Sequence, residues 1–141
     1  MKRMMKILVC CLLVLSLLCS IASATDERAA TLLTHYNASI SENSSGALEI
    51  EVVAVANTSV MSLGASSATL EAKINGSWEF VCSYNMTADP DLYSSNTSVH
   101  RGFVYYDTPE AGTEYRVQVS FFAHTSDIRE TRTYTSGSYI A

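Results

Sequence analysis

A run of alternating apolar and polar residues between Gly112 and Ala123 constrains the fold of this chain more than any other segment. Apolar side chains occupy every second position, and Glu114, Arg116 and Gln118 fall between them. A period of two residues is that of a β-strand with one face in a core and the other in water. The inward positions are Tyr115, Val117, Val119, Phe121 and Ala123.

The same alternation recurs in six further segments, and no segment has the 3.6-residue period of an amphipathic helix. These predicted strands cover residues 34–41, 48–56, 68–74, 78–84, 99–106 and 129–135, and an extension at 139–140 is left open. Asn75-Gly76 predicts a tight hairpin, because both central residues of such a turn need a positive φ. Asn57–Ser66 and Asn85–Ser98 are expected to be loops.

Seven short strands in one small domain predict an all-β, antiparallel β-sandwich, because a single flat sheet leaves its apolar face uncovered. The segment from Asp107 to Ala123 resembles the corner between strands E and F of fibronectin type III domains. Tyr115 stands where the tyrosine corner of immunoglobulin-like sandwiches ties its hydroxyl back to the backbone upstream. The Trp of the second fibronectin strand and the immunoglobulin Cys pair are missing. The expected fold is thus an immunoglobulin-like or fibronectin III-like sandwich of about seven strands.

Residues 1–24 have the pattern of a secretory signal peptide. Lys2, Arg3 and Lys6 form a basic start, an apolar run follows, and Ala22-Ser23-Ala24 fits a cleavage site. A membrane anchor is the alternative, but a spanning helix needs about 20 apolar residues and this run is shorter. Lipid attachment at Cys19 is a second alternative. The sequence therefore predicts a secreted or extracellular protein whose single domain covers residues 25–141.

Removal of the signal peptide would leave six basic and fourteen acidic residues. This acidic balance argues against binding to nucleic acid and against insertion into or adsorption on anionic membranes, both of which favour basic surfaces. Cys82 would be the single cysteine of the mature chain, so no intramolecular disulfide is expected. It is interpreted as a small apolar residue of a strand or as an exposed thiol that pairs between chains.

A wider resemblance covers nearly the whole segment after Ala24. The chain resembles a family of small secreted proteins of Gram-positive bacteria that is known as a domain of unknown function. The segments that carry it are Tyr36–Ile40, Met61–Ala65, Asn75–Trp78, Gly112–Tyr115 and Asp127–Thr135. These motifs are turns and strands, so the resemblance implies a fold and a compartment and carries no active site.

Two groups of oxygen-bearing residues are candidate modification or metal sites. Every Asn begins an Asn-x-Ser/Thr triplet, the acceptor pattern for N-glycosylation, although Ser and Thr also accompany Asn in ordinary turns. Asp89, Asp91, Ser94 and Asn96 place several oxygens in one expected loop, as a calcium site does. That loop lacks the final Glu and the turn Gly of a complete calcium loop, so an Asx-Pro turn is the preferred interpretation.

No residue pattern predicts catalysis. Glu49 and Glu51 share a strand face about 6.5–7 Å apart, a separation compatible with glycosidase carboxylates, but a solvated strand face explains them equally well. His35, His100 and His124 are far apart in the sequence, and no nucleophile motif accompanies them. We therefore expect no enzyme, no catalytic or metal-binding residues and no cofactor.

Tyrosine is the one feature that favours a function. Eight Tyr exceed what one sandwich core needs, and flat amphipathic rings suit contacts with sugars or proteins. The candidate contact residues are Tyr84, Tyr93, Tyr105, Tyr106, Tyr134 and Tyr139. The sequence thus predicts a binding or adhesion module for a cell-wall glycan or an extracellular protein. A self-assembling structural subunit and, less favoured, a small secreted hydrolase are the alternatives.

Overall fold

The computed structural model describes residues 31–141, so the predicted signal peptide, residues 1–24, lies outside the described residues. The described chain is all-β and antiparallel, without an α-helix. Its strands are β1 (Leu33–Glu42), β2 (Leu48–Ile74), β3 (Ser77–Asn85), β4 (Tyr93–Tyr106), β5 (Glu114–His124), β6 (Arg129–Thr135) and β7 (Tyr139–Ile140). A 3₁₀ turn, Pro90–Leu92, precedes β4. Within residues 31–141, no helix is long and apolar enough to cross a membrane.

Hydrogen bonds join all seven strands into one antiparallel sheet instead of two separate ones. The order along its main path is β1-β2-β5-β6, while β3 and β4 also pair with β2, and β7 pairs with β5. β2 is the centre of this arrangement because it is 27 residues long and has four strand partners. The prediction of an all-β, antiparallel chain is confirmed.

The expected loop at Asn57–Ser66 is wrong, because β2 continues through it. Val60 and Leu63 are buried in this segment, so the chain keeps its apolar positions against the core. The turn-forming residues produce irregularities of register, between Val55 and Val60 against β4 and between Ala65 and Ser67 against β5. Such bulges bend a strand without ending it.

The second expected loop, Asn85–Ser98, is also shorter than predicted. β4 begins at Tyr93, and its first residues pair with the middle of β2, including Tyr93 opposite Gly64. Gly64 has φ +150°, and a Cβ there would lie 2.2 Å from the carbonyl oxygen of Leu92. The close approach of the two strands thus needs a residue without a side chain.

The inward face of β5 is as predicted. Tyr115, Val117, Val119, Phe121 and Ala123 are all buried and belong to one core cluster. Both ends of β2 contribute to that cluster, through Ile50 and Val52 near its start and Leu70 near its end. Across the core, the rings of Tyr36 and Phe121 have centroids 5.6 Å apart.

Two local predictions at turns are confirmed. Asn75 and Gly76 connect β2 and β3 with φ values of 51° and 83°, as the hairpin turn requires. Tyr115 has its hydroxyl tied upstream, because the backbone N–H of Glu110 donates to it at 2.9 Å. Cys82 is half-buried, and its Sγ lies 3.5 Å from the hydroxyl of Tyr84.

Candidate functional site

The six candidate tyrosines do not form one surface, but three of them come together beside β4. Tyr93 and Tyr105 line the same pocket. The hydroxyl of Tyr84, on β3, donates a 2.7 Å hydrogen bond to the backbone carbonyl of Tyr105. Burial and the neighbouring Cys82 thiol raise the pKa of the Tyr84 hydroxyl, so it stays protonated and remains a donor.

The other three tyrosines lie elsewhere. Tyr106 lines a separate groove beside β3. Tyr134 packs its ring edge-on against Tyr36, with centroids 6.3 Å apart, and is therefore part of the packing around the core. Tyr139 donates from its hydroxyl to Glu42 at 3.3 Å. The six tyrosines expected from the sequence to form one contact surface are thus divided: three lie at or beside one pocket, and the other three lie at separate positions.

The pocket at β4, called here the β4 pocket, has a volume of about 260 Å³. It lies between the 3₁₀ turn and the strand that follows it. Its wall includes Pro90, Asp91, Tyr93, Ser94, His100, Arg101, Gly102, Phe103 and Tyr105. A bend in β4 makes this enclosure, because Asn96 adopts a left-handed φ of 53°. In a straight strand, residues six apart would be separated by about 20 Å.

The bend brings Ser94 and His100 into contact. The Oγ of Ser94 lies 2.9 Å from Nδ1 of His100, whose side chain is 2 % exposed. The other ring nitrogen, Nε2, is buried and has no hydrogen-bond partner within residues 31–141. Burial lowers the pKa of His100, and the negative charge of Asp91 opposes this shift in part. Burial therefore favours the uncharged form of this imidazole, and its Nε2 is enclosed without a partner among residues 31–141.

Gly102 lets the 3₁₀ turn pack closely against β4 beside this nitrogen. A Cβ at Gly102 would lie 1.8 Å from the carbonyl oxygen of Asp91 and 2.9 Å from Nε2 of His100. Any side chain here would push the 3₁₀ turn away from β4. Sequence reasoning missed this position, although a glycine inside a strand pattern is a signal of close approach.

Charges of both signs and aromatic rings complete the pocket. Arg101 forms an ion pair with Glu51, and its guanidinium carbon lies 5.5 Å from the ring centroid of Phe103. Asp91 supplies a carboxylate on the opposite side, from the 3₁₀ turn. The ring of Tyr105 is 49 % exposed, so part of its face is open to a ligand.

The residues considered for calcium do not share one loop. Asp89 precedes the 3₁₀ turn and accepts a 3.1 Å hydrogen bond from the backbone N–H of Asn85, while Asp91 lies within that turn. Ser94 and Asn96 belong to β4. Among residues 31–141, no three His, Cys, Asp or Glu side chains are grouped as metal ligands.

The chemistry that the pocket offers is hydrogen bonding next to aromatic surface. The contact of Ser94 with His100 resembles the first half of a nucleophile–base pair, but in such a pair a third group holds the second nitrogen of the base. Here Nε2 has no such partner in the described part of the chain.

No protein-family model, curated protein or solved structure matches this chain.

Proposed function

We propose that this protein is a non-catalytic binding module and that its β4 pocket takes a carbohydrate, as a cell-wall glycan at or outside the cell surface would supply. The observation that carries the proposal is the half-exposed ring of Tyr105 in a pocket whose wall also includes Asp91, Ser94 and Arg101.

A sugar fits this wall because each hydroxyl both donates and accepts hydrogen bonds. Asp91 is an acceptor, Arg101 is a donor, and Ser94 is both, so one polyol can satisfy all of them. The apolar face of a sugar ring packs on an aromatic ring, and Tyr93, Phe103 and Tyr105 provide such rings. A ligand of one charge would meet a like charge at Asp91 or at Arg101.

The finer architecture belongs to the same proposal. We place the bent sheet in the class of immunoglobulin-like or fibronectin III-like sandwiches, in which the two parts of β2 belong to opposed layers. The ring contact between Tyr36 and Phe121 supports this, because β1 and β5 share no hydrogen-bonded pair. The hydrogen bond that the backbone N–H of Glu110 donates to the hydroxyl of Tyr115 also supports this class, because such a bond is typical of the tyrosine corner.

An extracellular location is proposed from the signal-like residues 1–24. The acidic balance of the whole chain, with a net charge of −5, agrees with a soluble protein that avoids nucleic acid and anionic lipid. A rigid strand platform also suits such a module, since its contact residues keep their positions before binding.

The test is a titration of the protein with soluble cell-wall oligosaccharides, followed by calorimetry and by amide NMR shifts. Tyr105→Ala should weaken binding about tenfold, because it removes a stacking ring and leaves the backbone carbonyl that Tyr84 uses. The matched control is Phe80→Ala, which removes an exposed ring of β3 outside the pocket. Absence of binding across the oligosaccharides, or equal loss in both variants, would refute the proposal.

A small hydrolase is the second candidate, favoured only by the 2.9 Å contact between Ser94 and His100. An activated serine would react with a fluorophosphonate probe, and Ser94→Ala would abolish that labelling. A self-assembling subunit is the third candidate, since β3 has an edge with which no strand of residues 31–141 pairs. Light scattering at high concentration tests it, because a strict monomer excludes assembly.

A further inference from the structure

The second strand of the β2–β3 hairpin has one free edge. β3 pairs with β2 on one side, and within residues 31–141 no strand pairs with its other side. Ile74 and Ser77 flank the two-residue turn and form a hydrogen-bonded pair. From there, hydrogen-bonded and non-hydrogen-bonded pairs alternate along the two strands, so Trp78 and Phe80 fall in non-hydrogen-bonded pairs. The backbone groups of Trp78 and Phe80 consequently point away from β2.

This edge lacks Lys and Pro, two of the protections that natural edge strands carry. Natural edges carry Lys or Pro, or are covered by another element. β3 contains neither Lys nor Pro between Ser77 and Asn85.

A bulge presents an aromatic side chain at the free edge. Leu70 of β2 pairs with Cys82, and the next residue, Glu71, pairs with Phe80. Val81 is therefore the extra residue of the bulge on β3. Because of this bulge, Cys82 pairs with the buried Leu70 while Phe80 pairs with Glu71, and the side chain of Phe80 is 69 % exposed. A large ring so exposed on an open strand is a typical feature of a contact surface.

A groove of about 450 Å³, called here the Phe80 groove, runs beside this edge. Its floor is apolar and consists of Ala72, Val81, Tyr106 and Tyr115, the last two with ring centroids 6.2 Å apart. Glu79 and Phe80 are neighbours on one strand and both line it, so the groove lies against the strand edge and not against one face alone.

The rim of the Phe80 groove is acidic. Glu79 is the strand partner of Ala72, so it lies on the face of β3 that looks toward the core. Glu110 lines the groove from the turn before β5. Neither carboxylate forms an ion pair with a residue in the range 31–141. A ligand here must bring positive charge to avoid leaving these carboxylates desolvated and unpaired.

We propose that β3 and the Phe80 groove bind an extended segment of a partner protein, in which apolar residues alternate with Lys or Arg. The segment adds to the free edge of β3 through main-chain hydrogen bonds at Trp78 and Phe80. Its apolar side chains enter the groove over Tyr106 and Tyr115, and its cations pair with Glu79 and Glu110. This surface does not depend on the carbohydrate site, which lies beside β4.

A second copy of this chain is a poorer occupant. The whole chain has a net charge of −5, so two copies repel each other. Antiparallel pairing of two β3 strands would also bring two Glu79 carboxylates into one strand pair, and like charges on paired strands destabilise a sheet. A basic partner relieves both costs.

The test measures the affinity of fluorescent peptides of alternating Val and Lys by anisotropy, with the full domain. The controls are peptides in which Glu replaces Lys and in which one central Val is replaced by Pro. We expect the Val-Lys peptide to bind and both controls to bind at least about tenfold more weakly, because charge and backbone pairing are both required. Amide protons of Trp78 and Phe80 should gain protection from hydrogen exchange on binding.

Two variants locate the site. Phe80→Ala and Glu79→Gln should each weaken the Val-Lys peptide by about tenfold, whereas Asp127→Asn, an equal change of charge at a distant exposed turn, should leave affinity unchanged. Tyr105→Ala should also leave it unchanged. Equal binding of Val-Lys and Val-Glu peptides, or equal loss in Glu79→Gln and Asp127→Asn, would overturn the proposal, as would a dimer with protected β3 amides in the absence of peptide.

Discussion

The guanidinium of Arg116 lies over the indole ring of Trp78, with its carbon 4.3 Å from the ring centroid. Lys73 lies 5.6 Å from the same ring through its Nζ, and Arg116 Nε donates to Glu71 at 2.6 Å. Arg116 is on β5, Lys73 and Glu71 are on β2, and Trp78 is on β3. One aromatic ring thus joins three neighbouring strands on the outer face of the sheet.

Trp78→Ala should lower the free energy of unfolding by about 1–2 kcal/mol, because it removes two cation–π contacts together with the apolar area of the indole. Urea denaturation followed by circular dichroism measures the change. Phe80→Ala on the same strand is the control, and it should cost less than about 0.5 kcal/mol because Phe80 is largely exposed. Equal costs in the two variants would contradict the assigned role of Trp78.

Tyr115→Phe should lower the free energy of unfolding by about 1 kcal/mol. The variant keeps the buried ring but removes the hydroxyl that accepts from the N–H of Glu110 at 2.9 Å. The corresponding fall in melting temperature is about 4–8 °C, the range expected for a domain of similar size. Tyr106→Phe is the matched control, because the hydroxyl of Tyr106 makes no hydrogen bond with another side chain or with the backbone of residues 31–141. An unchanged free energy of unfolding in Tyr115→Phe would show that this hydrogen bond contributes nothing to stability.

Local periodicity was sufficient to predict the parts of the fold that depend on local sequence. The alternating residues of β5 face the core because alternation over a whole strand leaves one consistent arrangement; they are Tyr115, Val117, Val119, Phe121 and Ala123. Asn75-Gly76 forms its turn because the requirement for positive φ acts within two residues. These predictions did not need knowledge of any distant contact.

The misplaced elements depend on contacts between distant residues. The segment Asn57–Ser66 has loop composition, but burial of Val60 and Leu63 against the core holds it in β2. The bulge at Val81 is defined only by the register of β3 against β2, so local alternation does not predict it. Ser94 and His100 meet because β4 bends at Asn96, and no pattern of spacing along a straight strand predicts that contact.

Gly64→Ala should destabilise the domain by about 3 kcal/mol or more. The new Cβ would lie 2.2 Å from the Leu92 carbonyl oxygen and 2.6 Å from the Cα of Tyr93, and the φ of +150° disfavours any L side chain. Thermal unfolding measures the effect, and low soluble yield would be its extreme form. Gly137→Ala is the control, since a Cβ there meets nothing within 4 Å. Equal stability of the two variants would contradict the close approach of β2 and β4.

The buried imidazole of His100 should make stability fall as the pH is lowered from neutral. Burial lowers its pKa in the folded state, whereas the unfolded chain has the ordinary value of about 6.5. Below pH 6.5 the unfolded state therefore binds a proton that the folded state does not bind, and this difference favours unfolding until the pH reaches the lowered folded value. The stability contribution is fully present above pH 6.5, and its loss can approach about 1.4 kcal/mol per pH unit.

His100→Gln should flatten this dependence between about pH 7 and pH 5. The measured quantity is the slope of unfolding free energy against pH from urea titrations, because the variant also loses the Ser94 contact and its absolute stability will differ. His35→Gln, on the exposed face of β1, is the control and should keep the wild-type slope. Carboxylates distant from His100 contribute equally to all three proteins, so the difference between slopes reports the imidazole together with its interaction with Asp91. Parallel curves for the wild type and His100→Gln would mean that the folded protein accepts the proton at His100 without cost, and would contradict the lowered pKa of this buried imidazole.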